Sequence, residues 1–261
     1  MTFPFVPAPR RDGRPLILGH RGASATAPEN TLAAFTRAMA EGADGVELDA
    51  WRCATGEVVV IHDEETARTC GERLTVPDAT LAALRRLDAG AWKGEQFRGE
   101  RIPLLAEVLE ALPDAIVNVE LKARRGRTDA ALAAGVARVI AGAAAGGRVI
   151  VSSFDFALLG AFRRAAPQVA TGLLFEAWWH RPLRIPLAAA WLRPSAYHPD
   201  LGLCTPGRLA GWQAGGRALL VWTVDDPGEV ARLTRAGVAG LVSNGPGAAR
   251  RAVDAALAGL R

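Results

Sequence analysis

The chain contains no run of about 18 uninterrupted apolar residues, the length a membrane-spanning helix needs. Its greasy segment LAAGVARVIAGAAAGG, residues 132–147, is broken by Arg138 and several glycines. Stable membrane insertion is therefore not expected. A secretory leader is not expected either, because MTFPFVPAPRRDGRP at the start carries prolines and arginines where an apolar core would be required. Cysteine is scarce: Cys53, Cys70 and Cys204 are odd in number and lack CxxC or CxxH spacing, which argues against both a disulfide framework and a zinc site. A soluble protein with reduced thiols, in the cytoplasm, is the expectation. Basic stripes with interleaved aromatics are missing as well. The net charge of +4 comes mostly from arginines spread along helical segments, so no nucleic-acid partner is expected, whereas a small anionic substrate is compatible.

What is present is an alternation. Short β-branched or apolar runs (PLILGH, GVELDAW, VVVIHD, AIVNVEL, RVIVSS, ATGLLF, SAYH, ALLVWTV, GLVS) are separated by segments with apolar residues three and four apart, such as TLAAFTRAM, LLAEVLEAL and DPGEVARLTRA. Strand followed by helix, repeated about eight times, is the signature of a parallel sheet covered by helices. With 261 residues, half of them apolar, the chain fits one domain, an α/β TIM-type (β/α)8 barrel. A doubly wound open sheet would want a glycine-rich dinucleotide fingerprint in the first βα turn, and none is there. Residues 63–103 break the rhythm with turn-rich sequence. They read as an excursion above the barrel, too short to build a separate core.

Barrel strands are buried on both faces, so charges within them stand out. GVELDAW places Glu47 and Asp49 two apart, and NVELKA places Glu120 and Lys122 two apart, which sends each pair to one face of its strand. Val46, Leu48, Val119 and Leu121 then face the helices. Three carboxylates in a confined space need counter-charge. A divalent cation would supply it, and oxygen donors suit Mg²⁺ or Ca²⁺ better than zinc; plain ion pairs with Lys122 and nearby arginines are the simpler alternative. His20 ends the first strand, and by the alternation Val58, Val60, His62 the second histidine shares the inward face. Both belong at the C-terminal end of the barrel, where such folds keep their chemistry.

These residues carry a resemblance. HRGASATAPENTLAAF (20–35), GADGVELDA (42–50), VVIHDEETARTCG (59–71), LDAGAWKGEQFRGERIPLLAEVLE (87–110), VNVELKA (117–123), VSSFD (151–155) and VWTVDDPGEVARLTRAGVAGLVSNGP (221–246) together resemble the glycerophosphodiester phosphodiesterases, in order along nearly the whole chain. The resemblance implies a TIM-type barrel with a small insertion after the HD motif. It also implies His20 and His62 as acid/base pair, Glu47, Asp49 and Glu120 as ligands of Ca²⁺ or Mg²⁺, and Arg21 and Lys122 as phosphate binders. Trp222 would stand near the glycerol pocket. The implied reaction is metal-dependent hydrolysis of a glycerophosphodiester to glycerol 3-phosphate and an alcohol. Rivals are a lysophospholipase D acting on acyl-bearing lysolipids and a non-catalytic headgroup-binding module; a metal amidohydrolase would want an HxH motif that GHRG does not supply.

Other positions read more plainly. Asn244, where many relatives carry Asp, is expected to matter for a loop rather than for the metal. Asn30 suits a helix N-cap. His198 ends a strand and could approach the site, while His180 reads as surface. Arg124, Arg125 and Arg127 form a loop on the active face, solvated or attracting an anion. The aromatic segment 175–192, with Trp178, Trp179, Leu183, Ile185 and Trp191, is a core-packed irregular helix or a tail-binding loop. Oligomeric state is not legible.

Overall fold

The computed structural model describes residues 13–124, 127–176 and 184–258. Nine strands form one sheet: β1 Leu16–His20, β2 Gly45–Arg52, β3 Val58–Val60, β4 Ile116–Leu121, β5 Val149–Ser153, β6 Ala170–Phe175, β7 Ala196–Pro199, β8 Ala218–Val221 and β9 Gly240–Ser243. Eight of them are parallel, and pairing of β1 with both β2 and β9 closes them into a barrel. The ninth, β3, runs antiparallel to β2 on the outside of that ring. The VVVIHD run is thus a hairpin arm and not a barrel stave.

Helices α1 Leu32–Ala40, α4 Leu105–Ala111, α5 Ala130–Gly142, α6 Phe156–Ala165, α7 Arg184–Leu192, α8 Pro206–Ala214, α9 Pro227–Arg235 and α10 Pro246–Ala258 connect successive strands or close the chain. Short helices α2 Ala67–Cys70 and α3 Leu81–Leu84 lie within the excursion. Helix starts follow local chemistry. Asp129, Asp155 and Asp226 accept hydrogen bonds from the first free N–H groups of α5, α6 and α9. Proline opens α8 and α9, where its missing N–H costs nothing.

Strand alternation sorts the core into two layers. Val46, Leu48, Val119, Leu121, Val149, Val151, Leu219 and Leu241 face outward and pack with helix residues such as Phe35, Val136, Phe162 and Val230. Inside the barrel, Leu18, Ile150, Ala170, Ala196, Leu220 and Val242 form an apolar plug, so the barrel is filled below its mouth. The excursion has its own small cluster, in which Trp51, Val59, Ile61, Val76, Leu84, Leu87 and Ile102 pack together. It begins at the β2–β3 hairpin, earlier than residue 63, because β3 contributes Val59 to it.

Candidate active site

Register assembles the centre. His20 on β1 is the Cα partner of Glu47 on β2, and Asp49 on β2 is the partner of Glu120 on β4. All four point inward just above the plug. Ligand oxygens of Glu47, Asp49 and Glu120 lie within 4.8 Å of one another.

Two cations reach this cluster. Lys122 Nζ stands 3.0 Å from Asp49 Oδ1 and 2.7 Å from Glu120 Oε1. Arg21 Nε is 3.4 Å from Asp49 Oδ2, while its Nη1 donates to Glu29 Oε1 at 2.9 Å. Arg21 is therefore shared with a fourth carboxylate. Burial, then the neighbouring Asp49 and Glu120 charges, push the Glu47 carboxyl well above its ordinary value. Burial likewise outweighs Lys122 at Glu120 and raises it. At Asp49 burial is overcome by Lys122, His62 and Arg21, with help from Asn30, and the carboxyl is held low. Three buried acids with one and a part cations are short of positive charge. An all-oxygen donor set with that deficit fits a hard divalent ion.

The HRG turn explains why these residues adjoin. Arg21 adopts a left-handed backbone with φ of 56°, a sparsely populated region for a long side chain. In that conformation its N–H donates to Glu47 Oε2 at 3.2 Å and its carbonyl accepts from Asn30 N at 3.0 Å. Gly22 follows with φ of 85°, and a Cβ there would come 2.6 Å from the Ala34 backbone, so only glycine lets α1 approach.

The two histidines have different partners. His20 Nδ1 lies 2.7 Å from Asn244 Oδ1, and its Nε2 is 4.0 Å from Glu47 Oε2. His62 Nδ1 lies 2.6 Å from Asp63 Oδ1, and Asp63 Oδ2 accepts from Arg68 at 2.6 Å. Arg68 also bonds Glu29 twice, at 2.7 Å each, tying the His62 side to the Arg21 side. Burial lowers both imidazoles below the ordinary histidine value; after it, Arg21 lowers His20, whereas Asp49 partly offsets the effect at His62. His62 reaches the site by a different route from the one its sequence suggests. Val58 and Val60 pack outward with the helix layer, so alternation would have carried residue 62 outward too. The strand ends at Val60, and the turn after it brings the ring back.

Several expectations change. Asn30 is not the N-cap of α1; Thr31 is, accepting from Ala34 N. Asn30 instead is buried, with φ of 57°, and its amide holds Asp49. Asn244 does more than shape a loop, since β9 neighbours β1 in the closed barrel and its following residue meets His20. Arg124 pairs with Glu64 at 2.7 Å and Asp78 at 2.5 Å across the excursion, and Arg127 is exposed; Arg125 lies outside the described residues. His198 faces into the barrel, buried, its ring over Gly172. Trp222 follows β8 at the mouth, half-buried. Its Nε1 donates to the His198 carbonyl at 2.9 Å, and its ring meets Phe154 edge-on at 5.5 Å. Trp178, Trp179, His180 and Leu183 lie outside the described residues. Ile185 packs on the core. Trp191 is exposed and lies over Gly160 of α6, on the outer helix layer and not at the barrel mouth.

The chain is similar to known proteins in both sequence and fold. Residues 20–248 match the model of the Glycerophosphoryl diester phosphodiesterase family. The chain is 38% identical over 241 residues to a glycerophosphodiester phosphodiesterase of Caldanaerobacter subterraneus, covering 88% of this chain and 94% of that protein. Among solved structures, an Oleispira antarctica phosphodiesterase in complex with the product sn-glycerol-3-phosphate is similar at a TM-score of 0.84 and 27% identity, covering 92% of this chain and 97% of the other. A glycerophosphodiester phosphodiesterase of Agrobacterium tumefaciens aligns at a TM-score of 0.78 and 27% identity, over 90% and 99% of the two chains.

Proposed function

Because the chain belongs to the Glycerophosphoryl diester phosphodiesterase family, we propose that the cluster at the barrel mouth hydrolyses a glycerophosphodiester to glycerol 3-phosphate and an alcohol. The observation that carries this reading is two imidazoles bordering a set of three buried acids and two cations, all at the C-terminal end of one barrel.

Phosphodiester cleavage asks for a proton to leave the attacking oxygen and another to reach the departing alkoxide. His20 and His62 would divide these tasks. Arg21 and Lys122 would hold the phosphoryl oxygens, whose charge redistributes in the transition state. Glu47, Asp49 and Glu120 would hold Ca²⁺ or Mg²⁺, and the ion would add Lewis-acid stabilisation of the same oxygens. Trp222, anchored through its Nε1, would present the rest of its indole to the glycerol moiety. The substrate is then a small anionic diester. No helix of the described residues is long and apolar enough to cross a membrane, and the free thiols of Cys53, Cys70 and Cys204 suit a reducing compartment such as the cytoplasm.

The test is release of glycerol 3-phosphate by purified protein from glycerophosphocholine, glycerophosphoethanolamine and glycerophosphoglycerol, with lysophosphatidylcholine as the acyl-bearing competitor. Turnover of the water-soluble diesters supports the reading. Turnover of the lysolipid alone would replace it with a lysophospholipase D, and binding without turnover would make the site a headgroup module.

A further inference from the structure

Beyond the two imidazoles lies a chain of polar contacts that decides which nitrogen of His20 carries its proton. Asn244 Nδ2 donates to Asp225 Oδ2 at 2.5 Å, and the Asn244 backbone N–H donates to Asp225 Oδ1 at 2.8 Å. Ser243 Oγ donates to that same oxygen, also at 2.8 Å. A carboxylate can only accept. Its partner on the Asn244 side chain must therefore be the NH₂ group, and the amide cannot rotate half a turn without setting oxygen against oxygen. That leaves Oδ1 facing His20 Nδ1 at 2.7 Å, with Ser24 Oγ donating to it at 2.8 Å.

An amide oxygen has no proton to give, so the proton in the contact with His20 belongs to the ring. We propose that Asn244, locked by Asp225, is a positioning residue that fixes neutral His20 as the Nδ1–H tautomer and so leaves the Nε2 lone pair toward the carboxylate cluster. The geometry supports the direction: Nε2 is the nitrogen on the Glu47 side, 4.0 Å from Oε2. Histidine alone in water favours the opposite tautomer, so without Asn244 the accepting nitrogen would mostly be blocked by hydrogen. A neutral amide does this without setting another carboxylate directly against the ring beside Glu47, Asp49 and Glu120. His62, whose Nδ1 meets a carboxylate at Asp63, is oriented by a charged partner instead. The two rings thus sit in unlike settings, with His20 prepared to take a proton.

The catalytic consequence rests on the phosphodiesterase reading, while the tautomer itself does not, and the experiment separates them. Long-range ¹H–¹⁵N correlation of the His20 ring in the intact protein, assigned by its loss in His20→Gln, should show Nδ1 as the protonated nitrogen and Nε2 as the bare one. Asn244→Leu should shift the ring toward Nε2–H and lower kcat about 10- to 100-fold, the usual cost of removing an orienting partner, with KM and metal affinity little changed. The double exchange Asn244→Asp with Asp225→Asn, which swaps acceptor and donor between the two positions, should return the Nδ1–H signature. Asp225→Leu should let the amide turn and give a mixture of tautomers. An Nε2–H ring in the wild-type protein would overturn the proposal even if Asn244→Leu failed to fold. So would an Nδ1–H ring that survives in Asn244→Leu or Asp225→Leu. If the protein turned over no glycerophosphodiester yet showed the Nδ1–H ring and its loss in Asn244→Leu, the orienting role would stand and the substrate assignment would fall.

Discussion

Asn30 and Asp49 clasp each other twice: the Asn30 amide donates to Asp49 Oδ2 at 2.7 Å, and the Asp49 backbone N–H returns to Asn30 Oδ1 at 3.3 Å. The clasp fixes the carboxylate plane and leaves Oδ1 turned to Lys122. Asn30 can reach it because the left-handed Arg21 and Asn30 fold the first βα loop back over β2. Asn30→Ala should therefore weaken divalent-ion affinity about 10- to 100-fold, the range for outer partners of metal ligands, while secondary structure by circular dichroism is unchanged. Asn30→Asp should be worse, since it places another charge against Asp49. An unaltered ion-binding isotherm in Asn30→Ala would show that the clasp is structural only.

Without an ion, burial and mutual repulsion favour the protonated forms of Glu47 and Glu120. Ligation requires carboxylates, so ion binding must release protons, and affinity should rise as pH rises through their elevated values. Calorimetric titration with Ca²⁺ or Mg²⁺ in buffers of unlike ionisation enthalpy should report net proton release, and Glu47→Gln should sharply weaken the isotherm. Excess chelator should abolish turnover, with recovery on adding ion back. Full activity in chelator would remove the metal from the reaction.

How far the sequence spoke for itself depends on whether a residue's partners are local. The alternation of strands and helices gave the barrel, and the two-residue spacing in ELD and ELK gave the inward acids, because both follow from backbone periodicity alone. His62 lies near Asp49 for a reason that valine alternation does not contain, since a run of valines cannot show that it is a hairpin arm outside the ring. Asn30 looked like a cap because a polar residue before an apolar helix is the usual signal, and Thr31 beside it supplies the same signal. Asn244 and Asp225 depend on β9 closing against β1, 224 positions away in the case of His20 and Asn244. Nothing short of the closed barrel reveals that contact.

His198 lies within the barrel, 1% exposed, and burial depresses its pKa from the usual 6.5 to about 3. Its Nε2 has no hydrogen-bond partner among the described residues. The sign of the pH effect follows. Above 6.5 the ring is neutral in both folded and unfolded chains; below it the unfolded chain takes up a proton that the folded one refuses, and stability is lost as pH falls toward about 3. The loss should approach about 1.4 kcal/mol per pH unit. Denaturant unfolding at pH 7 and at pH 5.5 should show His198→Leu less acid-sensitive than the wild type, whatever its absolute stability. Equal slopes in the two proteins would mean that His198 is already protonated or otherwise compensated in the fold.

His20 and Arg21 adjoin at the end of β1, and if the first carries a proton while the second binds phosphate, the kinetics should separate the two roles. Burial lowers both His20 and His62, so the ring that must begin neutral keeps its lone pair at pH values below the ordinary 6.5, and the acid limb of kcat/KM should fall below that value. The alkaline limb reports the ring that must begin protonated, and the two apparent values belong to the coupled site. Removing either ring, as His20→Ala or His62→Ala, should lower kcat about 10²- to 10⁴-fold, the usual contribution of a positioned acid or base. Arg21→Ala should raise KM as well, because its charge acts on bound diester and transition state alike. If the 2-hydroxyl of the glycerol moiety attacks first, a cyclic phosphate forms and the analogue lacking that hydroxyl should resist cleavage; unchanged cleavage of the analogue would assign the attack to water. Wild-type turnover in folded, ion-binding His20→Ala and His62→Ala proteins would end the acid/base assignment.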